Sequence, residues 1–298
     1  MRLANTQGWI RMGGDMRRLS LTLLMGLLVG LPLSAQNRPL RTVDAETVPA
    51  GTMRVQVGFD FLQDVDFPLS GLSGDMTSVA VVQIRMGVGK IAEVQLEGAV
   101  HHFLDVKKQV GAFVTPVLTG PNSTHDVGDF SIATKIRLLS ETKNRPAVAF
   151  RFGYQMPNSD QSRGIGSNTS NIFAELILQK HFGKLNLMGN AGVAILQAPA
   201  AAFAQNDVLT FGAGFSYPAH RRVNVVGEVS GFQSTRRMSP NLLGTESRSQ
   251  ARLGLQILAG GFQWDVAGIA GLTKSSPRSG LTFGISRDFR WFDYNAIK

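Results

Sequence analysis

Cysteine is absent from the 298 residues, which excludes disulfides, thiolate metal sites and cysteine nucleophiles, and which is common among envelope proteins that stay unfolded during export. Charge is scarce too: Asp, Glu, Lys and Arg make up 17% of the chain, low for a water-soluble domain. After residue 35 no run approaches the ~18 consecutive apolar residues of a membrane-spanning helix, so nothing beyond that point is expected to cross a bilayer as a helix. There is no Gly-x-Ser-x-Gly nucleophile elbow and no His-Glu-x-x-His pair, which removes the commonest serine-hydrolase and zinc-protease readings. No linker or composition break divides the chain, and a single domain is expected.

The N-terminus carries an address. Arg17 and Arg18 form a basic stretch, an apolar run follows from Leu19 to Leu33, and Leu33-Ser34-Ala35 offers a small residue at a cleavage point before Gln36. The run is about 15 residues, short of the roughly 20 that span a bilayer, and the pattern is that of a secretory signal peptide over residues 1–35. Met16 is an internal alternative start. Losing 1–35 removes Arg2, Arg11, Arg17, Arg18 and Asp15, so the formal charge falls from +9 to +6. Residues 36–50 are expected to lie in the periplasm, and 51–298 to form the folded domain.

Within that domain one pattern recurs about twelve times: some ten residues alternating apolar with polar or tiny, then a connection. Phe130, Ile132, Thr134, Ile136 and Leu138 alternate with Asp129, Ser131, Ala133, Lys135 and Arg137. Val148, Phe150, Phe152 and Tyr154 alternate with Ala147, Ala149, Arg151, Gly153 and Gln155. A strand with this period offers one face to hydrocarbon and the other to water. Strands are expected near 51–62, 76–88, 92–104, 129–139, 146–155, 171–182, 184–196, 207–217, 222–233, 248–259, 262–273 and 280–291. Connections after even strands are short, while those after odd strands (63–75, 105–128, 156–170, 234–247) are mostly long and rich in Gly, Ser, Asn and Pro. That asymmetry is the habit of bacterial outer-membrane barrels, with short turns in the periplasm.

The expected fold is therefore an all-β, antiparallel up-and-down transmembrane barrel of about twelve strands, ten or fourteen staying open, in the outer membrane of a Gram-negative-type bacterium. Backbone groups in hydrocarbon need partners, so the strand around 53–61 should close against the one around 281–291. Aromatics fall at two levels, Phe59, Phe61, Phe130, Tyr154 and Phe211 toward the outer rim and Phe182, Tyr217, Phe262, Trp264, Phe289 and Trp291 toward the periplasm, as interfacial girdles do. The inward face carries Arg54, Arg85, Glu93, Glu97, Lys135, Arg137, Arg151, Glu175, Glu228, Arg252 and Asp265 as expected lumen-lining residues. Charges of both signs in a narrow lumen must be hydrated or paired, which leaves two readings: a polar permeation path, or a mesh of ion pairs that stiffens the wall. The loop 105–128, with the apolar Val110-Gly111-Ala112-Phe113-Val114, is the expected plug.

Smaller patterns favour no catalysis. His101 and His102 should face opposite sides of a strand, which prevents joint chelation, and puts His102 on the lipid side, the one position suited to a lipid-acting enzyme. Asp64, Asp66 and Asp75 lack the spacing of a calcium loop. Gly164-Ile165-Gly166 lacks the strand-to-helix setting of a phosphate cradle. No catalytic residue, cofactor or metal is expected, and an exported barrel is no partner for nucleic acid. Lys107, Lys108, Arg163, Arg236, Arg237, Arg248, Lys274 and Arg278 collect around the outer loops, where lipopolysaccharide phosphates are their natural counter-charge.

The stretch from Gly128 through Leu139 (Gly-Asp-Phe-Ser-Ile-Ala-Thr-Lys-Ile-Arg-Leu-Leu) is followed by Arg145 through Phe152 (Arg-Pro-Ala-Val-Ala-Phe-Arg-Phe) and Gln155 through Asp160 (Gln-Met-Pro-Asn-Ser-Asp). Over residues 128–190 the chain thereby resembles the outer-membrane transporter-like family named for the MetA pathway of phenol degradation. That family shows a Gly-Asp strand bearing Lys and Arg, an apolar strand ending in Pro-x-x-Asp, and a Gly/Ser-rich loop, here 164–170. The sequence departs from it at Asn158 and Ser159, where a Gly is usual. The resemblance implies a barrel that moves aromatic or other hydrophobic small molecules, and carries over no catalytic residues. Two alternatives stand beside a channel or transporter: a structural or adhesion barrel presenting its loops, and a lipid-acting enzyme. Solute and oligomeric state stay open.

Overall fold

A computed structural model describes residues 38–201 and 204–292; the expected signal peptide lies outside the described residues. The strands, in chain order, are β1 (Thr52–Phe67), β2 (Leu72–Gly87), β3 (Ala92–Gln109), β4 (Ser123–Asp126), β5 (Ser131–Leu139), β6 (Ala147–Gln155), β7 (Asn171–Phe182), β8 (Leu185–Gln197), β9 (Gln205–His220), β10 (Val223–Ser234), β11 (Arg248–Ala259), β12 (Phe262–Gly271) and β13 (Ser279–Arg290). Twelve of them form a closed antiparallel barrel. The short β4 stands outside that count: it pairs with the outer part of β3 (Phe103 opposite His125), while β5 takes the inner part (Glu93 opposite Lys135). Closure runs through β1 and β13, from Met53 opposite Phe289 to Phe61 opposite Leu281. Trp291 N–H donates to Gly51 O at 3.0 Å and so ties the last strand to the turn before the first.

The burial pattern is the inverse of a soluble protein's. On β5 the Lys135 side chain is wholly buried, while Ile132, Ile136 and Leu138 are 46%, 37% and 55% exposed. Phe59, Phe61 and Phe211 stand exposed toward one rim, and Phe182, Tyr217, Trp264, Phe289 and Trp291 toward the other. An apolar exterior of this extent is stable only in hydrocarbon, and the closed ladder leaves no backbone edge unpaired there.

Three features depart from the sequence reading. First, β1, β2 and β3 rise well above their neighbours, so the expected loop 63–75 shrinks to 68–71. Asp64 and Asp75 lie on these strand ends, where Lys107 bridges them at 3.0 and 2.6 Å and Arg278 reaches Asp64 at 3.0 Å; their charge is spent on cations of the same chain.

Second, the inside-outside parity inverts partway up β2 and β3. Ala80 adopts φ 50°, and the β1–β2 register slips between Gly58 and Asp60. Below the slip Gln83 and Arg85 face inward; above it Ser78 and Met76 do, and the opposing β3 follows. His102 therefore points into the barrel, with Nδ1 2.8 Å from Ser78 Oγ, and His101 points out, its ring 4.6 Å from Phe103 and Nε2 3.0 Å from His125 Nδ1. Strict alternation assigned these two histidines to the opposite faces; a single bulge reverses every side chain beyond it.

Third, residues 38–49 do not lie beneath the barrel, where the sequence placed 36–50, but inside it, where they meet inward side chains around the wall.

Candidate functional site

The inward segment is built for the wall it touches. Its sequence puts cations first (Arg38, Arg41) and anions after (Asp44, Glu46). Arg38 sits among β1, β12 and β13, donating to Thr282 Oγ1 at 2.6 Å and to Phe283 O at 2.9 Å, with Asp60 and Asp265 each 3.5 Å away. Only glycine admits it there: a Cβ on Gly58 would lie 2.4 Å, and one on Gly284 2.7 Å, from its guanidinium nitrogens. Passing β11, the backbone accepts from Gln256 and Arg252 through the carbonyls of Arg38 and Pro39, both at 2.7 Å. Glu228 on β10 then receives the backbone N–H groups of Arg41 and Thr42 at 2.6–2.9 Å. Leu40 packs on Met188 of β8 and Val226 of β10, and Thr42 lies against Gly212 of β9. Val43 and Ala45 fill a cluster with Ala147, Ala149 and Ile177 of β6 and β7.

The acidic half meets the basic wall. Asp44 lies 3.1 Å from Arg85 and 2.9 Å from Lys135; Glu93 lies 2.8 and 3.2 Å from the same two cations. Glu46 takes Arg137 at 2.6 Å, and Val48 N–H donates to Glu93 at 2.6 Å. The segment thus touches each of the twelve barrel strands in one circuit. Fully buried charges are tolerable only when paired and hydrogen-bonded, and here two cations share two anions with no face left to water.

Of the residues expected to line the lumen, Arg85, Glu93, Lys135, Arg137, Glu228, Arg252 and Asp265 are held against this segment. The other four are not. Arg54 forms a two-bond pair with Asp288 at 2.6 and 2.7 Å across the closure seam. Arg151 bridges Glu97 and Glu175, the latter at 3.2 Å, and donates from Nε to Gln95 Oε1 at 2.7 Å. Sequence reasoning missed Arg38, Arg41, Asp44 and Glu46; the signal was their order, two cations then two anions just ahead of a strand whose barrel offers the opposite signs.

Outward of the segment a chamber of about 630 Å³ opens. Arg41 and Thr42 form its floor, and its wall combines apolar residues such as Leu62, Val65, Phe67 and Met76 with polar ones such as Asp129, Asn190 and Gln250. The outer loops interlock over it. Ser70 Oγ donates to Gly164 O at 2.6 Å, Val117 N–H to Ser162 O at 2.8 Å, and Gln161 Nε2 to Pro199 O at 3.1 Å. Gly164-Ile165-Gly166 belongs to this roof. The loop 105–128 is not the plug: Val110 and Phe113 are exposed, their N–H groups bonded to Gly71 O and Leu69 O, and of the apolar stretch 110–114 only Val114 reaches the chamber, whose wall the loop otherwise joins at Val127 and Gly128. Several basic residues expected to await lipopolysaccharide are matched internally, Arg163 by Asp160 and Arg236 by Asp207, both at 3.7 Å, while Arg248 borders the chamber.

No protein-family model matches the chain, and a comparison with curated proteins gives no match. Among solved structures it is similar to an outer membrane channel from Pseudomonas putida F1, at TM-score 0.60 and 11% identity, covering 83% of this chain and 98% of that one. Fainter likenesses include the translocator domain of the autotransporter NalP from Neisseria meningitidis (TM-score 0.48, 12% identity, 93% and 95% covered) and the outer membrane channel DcaP of Acinetobacter baumannii (TM-score 0.41, 11% identity, 83% and 100% covered). At such identities the first similarity establishes the fold, that of an outer-membrane barrel.

Proposed function

We propose that this chain is an outer-membrane channel or transporter for small molecules, in which solute gathers in the outer chamber and the segment 38–49 is the barrier to the periplasm. The observation that carries the reading is the division of one continuous barrel interior into a partly open chamber and a tightly paired segment of the chain itself. A purely structural barrel has no use for a cavity of about 630 Å³, a size typical of small-molecule sites. The resemblance over 128–190 supports an aromatic or hydrophobic solute, and the apolar side of the chamber suits one. Seven of the eleven wall residues named from sequence then act as the seat of the barrier, while Arg151 and Glu175 border the solute space. An enzymatic role finds no support at His102, which bonds Ser78 inside the barrel instead of meeting lipid.

Because the protein has no cysteine, the barrier can be locked cleanly. A Cβ on Gly212 lies 3.5 Å from the Cβ of Thr42, within the span of a disulfide. The double variant Thr42→Cys, Gly212→Cys should, in proteoliposome swelling and planar-bilayer conductance, pass solute when reduced and lose most of that flux when oxidised. Equal flux in both states would remove the segment from the gate. A sealed barrel in every state, wild type included, would favour the structural or adhesion reading.

A further inference from the structure

Resting on the small-molecule reading, we propose that the chamber binds an amphipathic anion, its apolar body against the outer halves of β1 and β2 and its oxyanion head between Arg41 and Arg248. The carboxylates bordering the chamber are already engaged. Asp129 accepts from Gln155 Nε2 at 3.2 Å, from the backbone N–H groups of Asn158 and Ser159 at 3.0 and 2.8 Å, and from Ser167 Oγ at 3.2 Å; Glu175 receives Arg151 at 3.2 Å. Arg41 and Arg248 differ. Among the described residues neither guanidinium has a carboxylate within 4 Å, although both border the cavity. Glu246, which does not line the chamber, acts on Arg248 only through its charge from beyond 4 Å; its Oε1 accepts from Gly244 N–H at 2.9 Å and its buried Oε2 has no hydrogen-bond partner among the described residues.

Strand geometry makes the charge accumulate. Period-two alternation puts Arg248, Gln250 and Arg252 on the inward face of β11, and the floor adds Arg41, whose charge acts on both arginines. Gln250 is the hinge of the group: with its amide oxygen turned inward it accepts from Arg41 Nε at 3.1 Å and from Arg252 Nε and Nη2 at 3.2 Å. Arg252 is spoken for by Pro39 O at 2.7 Å and Glu228 at 3.7 Å. Two guanidinium groups with donors to spare therefore face one partly desolvated space, where a bidentate oxyanion relieves their mutual repulsion.

The other side of the chamber sets the body of the ligand. Leu62 and Val65 pack with Ile269 into a cluster flanked by Phe67 and Met76, and β1 is separated from β11 only by β13 and β12. A ligand charged at one end and apolar at the other satisfies both surfaces; a neutral hydrocarbon leaves the arginines unanswered and a cation repels them.

The test uses the full mature chain in nanodiscs and three probes of one shape: 4-butylbenzoate, 4-butylbenzyl alcohol and 4-butylbenzylamine, titrated calorimetrically with empty nanodiscs subtracted. The benzoate should bind about tenfold or more tighter than the alcohol, and the amine weakest, the margin expected of one charge-assisted hydrogen bond. Arg248→Gln and, separately, Arg41→Gln should reduce that margin by about tenfold and leave alcohol binding unchanged, with folding checked by heat-dependent gel mobility. Since Arg41 makes no side-chain ion pair among the described residues, its variant keeps the test open if Arg248→Gln misfolds. Equal binding of benzoate and alcohol, tighter binding of the amine, or an undiminished margin in a folded variant would overturn the proposal. Flux is measured apart: a barrel that passes solute without preferring the anion refutes this inference alone, and one that prefers the anion but passes nothing refutes the transport reading alone.

Discussion

The two halves of the barrel interior are lined by the same residue types and reach opposite outcomes. In the periplasmic half Arg85, Lys135, Glu93 and Asp44 are buried and mutually paired, and the space between walls is filled by the chain's own N-terminal segment. In the outer half the wall charges are satisfied locally, the space stays open and two arginines keep unused donors. A polar wall by itself thus specifies neither a pore nor a plug. What decides is whether a complementary strip of chain arrives, and here one does, in matching order of charge.

Breaking the packed half should have the largest effect. Asp44→Asn takes from Arg85 and Lys135 one of the two carboxylates they share, and should cost about 3 kcal/mol in urea unfolding while raising basal conductance. The corresponding change in the outer half, Glu175→Gln, should cost under about 1 kcal/mol, because Arg151 keeps Glu97 and the open space admits water. Equal costs would dissolve the contrast between the halves. Next in size is Gly284→Ala, which sets a methyl carbon 2.7 Å from Arg38 Nε and 2.6 Å from Asp265; overpacking of this kind costs about 1–3 kcal/mol, and increased protease access to residues 38–49 would report it.

The smallest expected effect lies outside both halves, at the periplasmic turn. Burial raises the Glu141 carboxyl, but hydrogen bonds from the His181 ring and backbone and from Lys180 outweigh it and hold the pKa at about 2. A carboxyl lowered in the folded state stabilises above its unfolded pKa of about 4.5, and that contribution drains away as pH falls toward 2. Wild type should lose its stability advantage over Glu141→Gln across that window and show no such convergence between pH 5 and 7; parallel unfolding curves at every pH would remove the clamp.

Much of the barrel was legible from residue order. Period-two alternation located the strands, and the exposed Ile132, Ile136 and Leu138 against buried Lys135 show why: hydrocarbon and water on opposite faces leave a mark at every second position. The reading failed at His101 and His102 because a bulge at Ala80 shifts parity without altering composition. It failed at residues 38–49 because an extended segment paired to side chains has no period of its own.

Sequence alone therefore determined the wall, since each strand position answers to the solvent beside it, a local condition that needs no knowledge of the rest of the chain. Only the tertiary structure decided what occupies the interior. Asp44 meets Lys135 across 91 positions and Arg38 meets Thr282 across 244, and contacts of that range exist only once closure has brought every strand around one axis.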